Sequence, residues 1–357
     1  MEFKNLRSLS AQEQKEFLDS FDMVLLDCDG VIWYTCGAIP NAPLAVRKLR
    51  ELGKQVRFVS NNTIYSLENF YKRLEKLDFE PEPGCFAVPT MAMIEYLRKT
   101  NFQKQLYVMG PPSLKSELEI AGFRVAPAGP GFVPGMHDLV QYTVDNPDVG
   151  AVVVDIDINL NFMSLMLAKT YLARRDVQLL YGATDKVLPM GPSVEGGPPV
   201  EAIGPHYFQH QLEKICGVRG IPFGKPGQKM ADFIRAKFNI TDPKRVLFVG
   251  DNLIQDIQFG NSSDYQTLLV LTGITDMDDL EEDWDYPDAC RPNYYLNRFS
   301  ELTDIIANVA SMNKPKTSST TRTPPSNTAT SPSTSGFLRY IPPTDVSPPD
   351  KSKTPRV

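Results

Sequence analysis

The stretch Met23-Val24-Leu25-Leu26-Asp27-Cys28-Asp29-Gly30-Val31-Ile32-Trp33 decides the fold. Four apolar residues in a row, Met23 to Leu26, predict a strand buried on both faces, as in a parallel sheet. The strand ends in two carboxylates one residue apart, followed by a glycine that permits a sharp turn. Period-2 alternation places Asp27 and Asp29 on one side of an extended chain. Two like charges so close repel, so both ionise comfortably only if a cation joins them or one holds a proton. Cys28 falls on the opposite side and is expected in the core. Trp33 is expected to pack at the rim of the site.

Working outward, Ala45, Val46, Leu49 and Leu52 recur at helical spacing until Gly53 stops the run. Gln55 to Ser60 predicts a second strand ending in Ser60-Asn61-Asn62. Leu67, Phe70, Tyr71, Leu74 and Leu77 then mark an amphipathic helix. Strand, helix, strand, helix with short connections is the signature of an α/β fold around a parallel sheet, here a doubly wound, Rossmann-like core. Polar residues that do chemistry in such sheets lie just beyond the carboxyl ends of the strands. Asp27, Asp29 and Ser60 all stand there.

The same alternation restarts near residue 103, with strands at Leu106–Gly110, Ala151–Val154 and Gln178–Thr184 and helices after Pro112 and from Phe162 to Leu172. A Pro/Gly-rich separator from Pro189 to Pro205 is too irregular for a helix or central strand. The expected organisation is therefore a core over 1–102, a large inserted α/β cap domain over 103–219, and a second core segment over 220–312. That last segment carries Gly224-Lys225-Pro226, a helix over Met230 to Phe238, and the strand Arg245–Val249 running into Gly250-Asp251. Residues 313–357, rich in Ser, Thr and Pro, are expected to form a disordered tail.

Composition narrows the function. The chain has 357 residues, 42% apolar and 22% charged, which suits an ordinary soluble protein with substantial cores. No apolar run approaches the roughly 18 residues that span a bilayer. Five scattered cysteines without a Cys-x-x-Cys pair argue for reduced thiols and against a zinc site, so a cytoplasmic location is expected. Only three histidines are present, which disfavours His-rich metal centres and Ser-His-Asp triads. The tail carries a balance of +5 and the first 312 residues −11, a distribution that argues against nucleic acid as a partner.

Read together, Asp27, Asp29, Ser60, Asn61, Lys225, Asp251 and Asp256 converge at one sheet edge. Carboxylates with few histidines form an all-oxygen site suited to Mg2+. A hydroxyl, an amide and a lysine are donors for phosphoryl oxygens. One carboxylate can attack phosphorus while another protonates the leaving group and later deprotonates water. Ser60 and Asn61 fit a helix cap as well, Lys225 a solvated surface charge, and Asp256 the charged start of a helix.

The set Asp-Cys-Asp-Gly-Val-Ile-Trp, Val-Ser-Asn-Asn, Gly-Lys-Pro and Val-Gly-Asp-…-Asp-Ile resembles the haloacid dehalogenase-like phosphatases over roughly residues 20–300. Within them it looks most like the branch of 4-nitrophenylphosphatase, phosphoglycolate phosphatase and pyridoxal phosphate phosphatase. The resemblance implies a magnesium-dependent phosphatase acting on a small phosphorylated metabolite through an aspartyl-phosphate. It makes Asp27 the nucleophile and Asp29 the general acid/base. The Asp27 side chain, the Asp29 main-chain carbonyl and Asp251 become the Mg2+ ligands. Ser60, Asn61 and Asn62 become phosphate-binding residues together with Lys225, and Asp256 an acid ordering metal-bound water. The inserted module becomes a cap that closes over the site and selects the leaving group, and relatives often dimerise through it.

The chain departs from the branch at Asn252, Gln255 and Asp185, where relatives usually carry Arg, Thr and Asn, and at Glu195-Gly196-Gly197-Pro198-Pro199. None of these removes a reacting group. Competing expectations are a protein phosphatase of the same fold and a low-activity or non-catalytic relative that binds partners. The tail, with four Ser/Thr-Pro pairs at Thr323, Ser331, Ser347 and Thr354, offers phosphorylation or protein-binding sites.

Overall fold

The computed structural model describes residues 3–34, 37–192, 199–280 and 284–312. The tail from 313, Cys36 and most of the 195–199 run, with the expectations placed on them, lie outside the described residues.

Two parallel sheets organise the chain. The first has six strands in the order Tyr294–Leu296, Gln266–Val270, Val246–Gly250, Met23–Leu26, Gln55–Val59 and Phe86–Ala87. Met23–Leu26 lies inside it, paired in parallel with Val246–Gly250 on one side and Gln55–Val59 on the other. All four of its residues are buried, which is why its sequence is apolar throughout instead of alternating. Val24 and Leu26 pack on one face with the helices Ala42–Glu51, Leu67–Lys76 and Leu302–Met312. Met23 and Leu25 pack on the other face with Pro89–Lys99 and Gln228–Lys237. Each such buried side chain contributes about 1.5–3 kcal/mol relative to an exposed one.

The second sheet has five strands in the order Ile221–Pro222, Gln178–Tyr181, Val149–Val154, Gln105–Met109 and Arg124–Val125. Its faces divide by period 2. Leu106, Val108, Ala151 and Val153 join the cluster that also holds Met23 and Leu25, while Tyr107, Met109, Val152 and Val154 pack against the helix Phe162–Leu172. The two sheets therefore share a continuous apolar cluster.

Two local differences from the sequence reading have simple causes. The expected module ends at 219, yet the strand Ile221–Pro222 pairs with Gln178–Tyr181 inside the second sheet. Two residues are too few to show a strand period. The Pro/Gly-rich separator holds an antiparallel ribbon, Val187–Pro192 with Pro199–Ile203, whose register shifts between Pro189 and Gly191. An isolated two-stranded ribbon tolerates prolines that a central strand would not. Among the described residues no helix is long and apolar enough to cross a membrane.

Candidate active site

Parallel pairing puts the carboxyl ends of Met23–Leu26, Gln55–Val59 and Val246–Gly250 side by side, and Asp27, Ser60 and Asp251 follow them directly. The Asp27 amide continues the ladder by donating to Val249 O at 2.9 Å. Asp27, Ser60 and Asp251 are buried. Carboxylate oxygens of Asp27, Asp251 and Asp256 lie within 4.8 Å of one another.

Lys225 reaches this edge from the chain leaving the second sheet. Its Nζ donates to Asp27 Oδ1 and to Asp256 Oδ1, both at 2.6 Å, with only 1% of the side chain exposed. The solvated-charge alternative for Lys225 is thereby overturned. Burial by itself would depress its pKa, but the carboxylates of Asp256 and Asp27 outweigh that and raise it, so the ammonium stays charged.

Asn61 fixes the Lys225 main chain. Lys225 N donates to Asn61 Oδ1 at 2.7 Å, and Asn61 Nδ2 donates to Lys225 O at 3.0 Å. Both ends of the Asn61 side-chain amide are thus taken by the protein, and the side chain serves as a strut for the Lys225 main chain. The helix-cap alternative also fails, since Ser66 caps Leu67–Lys76 by accepting from Asn69 N. Ser60 Oγ accepts from Asn62 N at 3.1 Å, and the hydroxyl proton stays available for an anion.

Asp29 is exposed, unlike its neighbour Asp27. Its Oδ1 accepts from Trp33 Nε1 at 3.0 Å and its Oδ2 from Asn62 Nδ2 at 3.3 Å. Asn62, expected among the phosphate donors, directs its amide to Asp29. Trp33 is fully buried, not at the rim as expected. Cys28 is in the core as expected.

Asp251 is held by Ile274 N, which donates to its Oδ2 at 2.8 Å. The oxygen sits against two glycines. A Cβ on Gly30, whose φ is +81°, would stand 2.5 Å from it, and one on Gly273 1.7 Å. Asp256 lies in the turn Leu253–Ile257, and its Oδ2 accepts from Asp251 N at 3.2 Å and Asn252 N at 3.1 Å. With Oδ1 on Lys225, both oxygens are occupied by protein donors. Asp256 therefore anchors the lysine and the turn, and Oδ1, with one protein donor, keeps a lone pair for a further partner.

The donor set suits a divalent cation. Three buried carboxylates face one lysine, so ionising all three would leave an excess of two negative charges with little exposure to water. Burial, with the charge of Asp256 adding, pushes Asp251 up to about 7. Burial also lifts Asp27 well above the usual carboxylate range, because Asp256 and Asp251 offset much of what Lys225 supplies. A hard cation among these oxygens relieves that repulsion.

The departures at Asp185 and Gln255 meet each other. Gln255 Nε2 donates to Asp185 Oδ1 at 2.7 Å, and Gln255 Oε1 accepts from Asn61 Nδ2 at 3.2 Å. Asn252 caps the turn by accepting from Ile254 N and Gln255 N at 3.0 Å.

A profile described as haloacid dehalogenase-like hydrolase matches residues 24–124, and a second, HAD-hydrolase-like profile matches 222–302. Glycerol-3-phosphate phosphatase of Gallus gallus is 32% identical over 312 residues, covering 85% of this chain and 97% of that protein. Phosphoglycolate phosphatase 2 of Arabidopsis thaliana is 31% identical over 318 residues, covering 84% and 97%. The crystal structure of 4-nitrophenylphosphatase from Thermotoga maritima shares the fold at a TM-score of 0.64, with 22% identity over 80% of this chain and 98% of that one. The chain belongs to the haloacid dehalogenase-like hydrolase family, as a phosphatase.

Proposed function

We propose that the chain hydrolyses a small phosphomonoester, of phosphoglycolate, glycerol 3-phosphate or pyridoxal phosphate type, through a phosphoenzyme on Asp27. The carrying observation is the buried Lys225 ammonium shared by Asp27 and Asp256 beside Asp251. A nucleophilic carboxylate approaching a phosphate dianion needs positive charge fixed beside it, and Lys225 supplies it without reorganisation.

In the first step an Asp27 oxygen attacks phosphorus, the bond to the leaving oxygen breaks, and Asp29 delivers its proton to that oxygen. In the second, water attacks phosphorus, Asp29 takes its proton, and Asp27 leaves as carboxylate with inorganic phosphate released. Trp33 and Asn62 hold Asp29 in place for both transfers. The Ser60 hydroxyl donates to a phosphoryl oxygen. The Asp27 and Asp251 side chains and the Asp29 carbonyl would hold Mg2+, which when bound lowers the charge repulsion between phosphate and the carboxylates.

The relatives' names support small phosphomonoesters over phosphoproteins. Phosphate release from 4-nitrophenyl phosphate, with and without Mg2+, tests the reading. Wild type should require the cation and Asp27→Asn should be inactive. Unchanged activity in Asp27→Asn would remove the nucleophile, and an inactive wild type on a broad phosphometabolite panel would favour a binding protein.

A further inference from the structure

The strand Val149–Val154 of the second sheet also ends in a carboxylate, Asp155, which the proposed chemistry does not use. It is only 3% exposed. Removing a carboxylate from water is costly, and packed apolar side chains do as well or better for stability alone. Asp155 is nonetheless fully served. Its Oδ1 accepts from Thr63 Oγ1 at 2.7 Å and from Ile156 N at 2.6 Å, and its Oδ2 from Ala183 N at 3.2 Å. Room for it exists because residue 182 is glycine, whose Cβ would otherwise stand 1.6 Å from Asp155 Oδ2. Gln209 Nε2 ties the neighbouring carbonyls of Val154 and Ala183 at 3.1 and 2.7 Å.

Thr63 belongs to the loop that leaves the first sheet after Gln55–Val59. It follows Ser60-Asn61-Asn62, is 2% exposed, and its carbonyl accepts from Ser113 Oγ at 2.8 Å. Four residues later Leu67 N donates to Glu117 Oε1 at 3.0 Å. The helix Pro112–Ile120 and Asp155 thus grip the segment that leads out of the Ser60 loop.

We propose that Asp155 is a positioning residue: with Thr63 it forms a buried latch that seats the second sheet on the first and fixes the far end of the Ser60–Thr63 loop, and through it the hydroxyl offered to phosphate. Of the Asp155 partners, Thr63 is the one that comes from the first sheet's side, so a shift of one sheet on the other breaks that bond first. Burial pushes the Asp155 pKa up to about 6 against the pull of its three donors.

The inference rests on the proposed reaction, so its test has one arm that needs turnover and one that does not. In the full chain with Mg2+ and 4-nitrophenyl phosphate, Thr63→Val should raise KM about tenfold with kcat changed less than about threefold, the scale of one charge-assisted hydrogen bond. Thr63→Ser should restore wild-type KM. Asp155→Ala combined with Thr63→Val should be no worse than Asp155→Ala alone, because the alanine already removes the acceptor that Thr63 bonds. Wild-type KM in Thr63→Val, no rescue by serine, or multiplying effects would each overturn the latch. In the second arm, amide hydrogen exchange at Ile156, Ala183 and residues 63–67 should accelerate in Thr63→Val while Met23–Leu26 stays protected. Should wild type release no phosphate, the reaction falls and exchange alone decides: equal rates overturn the latch. If Thr63→Val does not fold, Thr63→Ala carries both arms with the same expectations.

Discussion

Trp33 Nε1 donates to Asp29 Oδ1 at 3.0 Å from an indole with no exposed surface. The ring stacks on Phe70 at 6.4 Å, meets the edge of Phe79 at 6.1 Å, and lies 4.9 Å under the Arg73 guanidinium. An exposed carboxylate is thereby oriented by a donor that cannot move. That is what a group handing over a proton in two successive steps requires, since a small displacement lowers the rate of each transfer.

Trp33→Phe keeps the ring in the core and removes the donor. We expect kcat/KM, which reports phosphoenzyme formation, to fall about tenfold on an alkyl phosphate, the loss of one hydrogen bond to a charged group, and less on 4-nitrophenyl phosphate. A phenolate of low basicity leaves with little protonation, so only the alkyl ester depends fully on the acid. Steady-state kinetics on both esters decide it, and equal losses would separate Trp33 from the acid function.

Asp29→Asn should still become phosphorylated by 4-nitrophenyl phosphate yet turn over slowly. The good leaving group needs no proton, whereas the water of the second step needs a base. Rapid-quench labelling should show a phosphoenzyme that accumulates and decays at least about a hundredfold more slowly than in wild type. An Asp29→Asn protein that never becomes labelled would contradict the division of labour between the two acids.

Lys225→Met should abolish activity and cost about 3–5 kcal/mol of stability, because it leaves buried carboxylates facing one another. Adding Asp256→Asn removes one of those charges while an amide oxygen can still accept from Asp251 N and Asn252 N. We expect the double variant to be more stable than Lys225→Met and still inactive, read by urea unfolding and phosphate release. A double variant less stable than the single would mean that Asp256 is not the lysine's electrostatic partner.

The three strand ends were legible because each element carries its own local signal: the buried run before Asp27, the run before Ser60, and Val246–Gly250 before Asp251. Parallel pairing then brings them together without further information. Lys225 joined this set as a donor for phosphoryl oxygens with no periodicity to place it, and its contact with the nucleophile became legible only in the structure. The use of the amides was beyond sequence: whether Asn61 faces phosphate or the Lys225 backbone depends on a contact across 164 residues. Leu302–Met312 has its signal in the open, with Leu302, Ile305, Ile306 and Val309 at helical spacing and buried. Asp155 likewise follows the buried run Ala151–Val154, and the strand-end rule applied to Asp27 would have singled it out.

Asp155 also makes a sign-definite prediction about pH. Its folded pKa of about 6 lies above the ordinary 3.8, so the folded chain holds this proton more tightly than the unfolded one. The contribution of the group is therefore fully present below about 3.8 and lost as pH rises through about 6, with a span of about 3 kcal/mol. The cause is burial first, opposed by the Thr63 hydroxyl and the Ile156 and Ala183 amides, with the charge of Asp185 adding to the upward push. Asp155→Asn carries no titrating group there. Subtracting its unfolding free energy from that of wild type at each pH cancels the carboxylates that do not interact with Asp155 and leaves this one with its coupling to Asp185. The difference should favour wild type most near pH 4 and decline steadily to pH 7. A difference that is flat or grows with pH would mean that the three donors outweigh burial and hold Asp155 as an ordinary ionised acid.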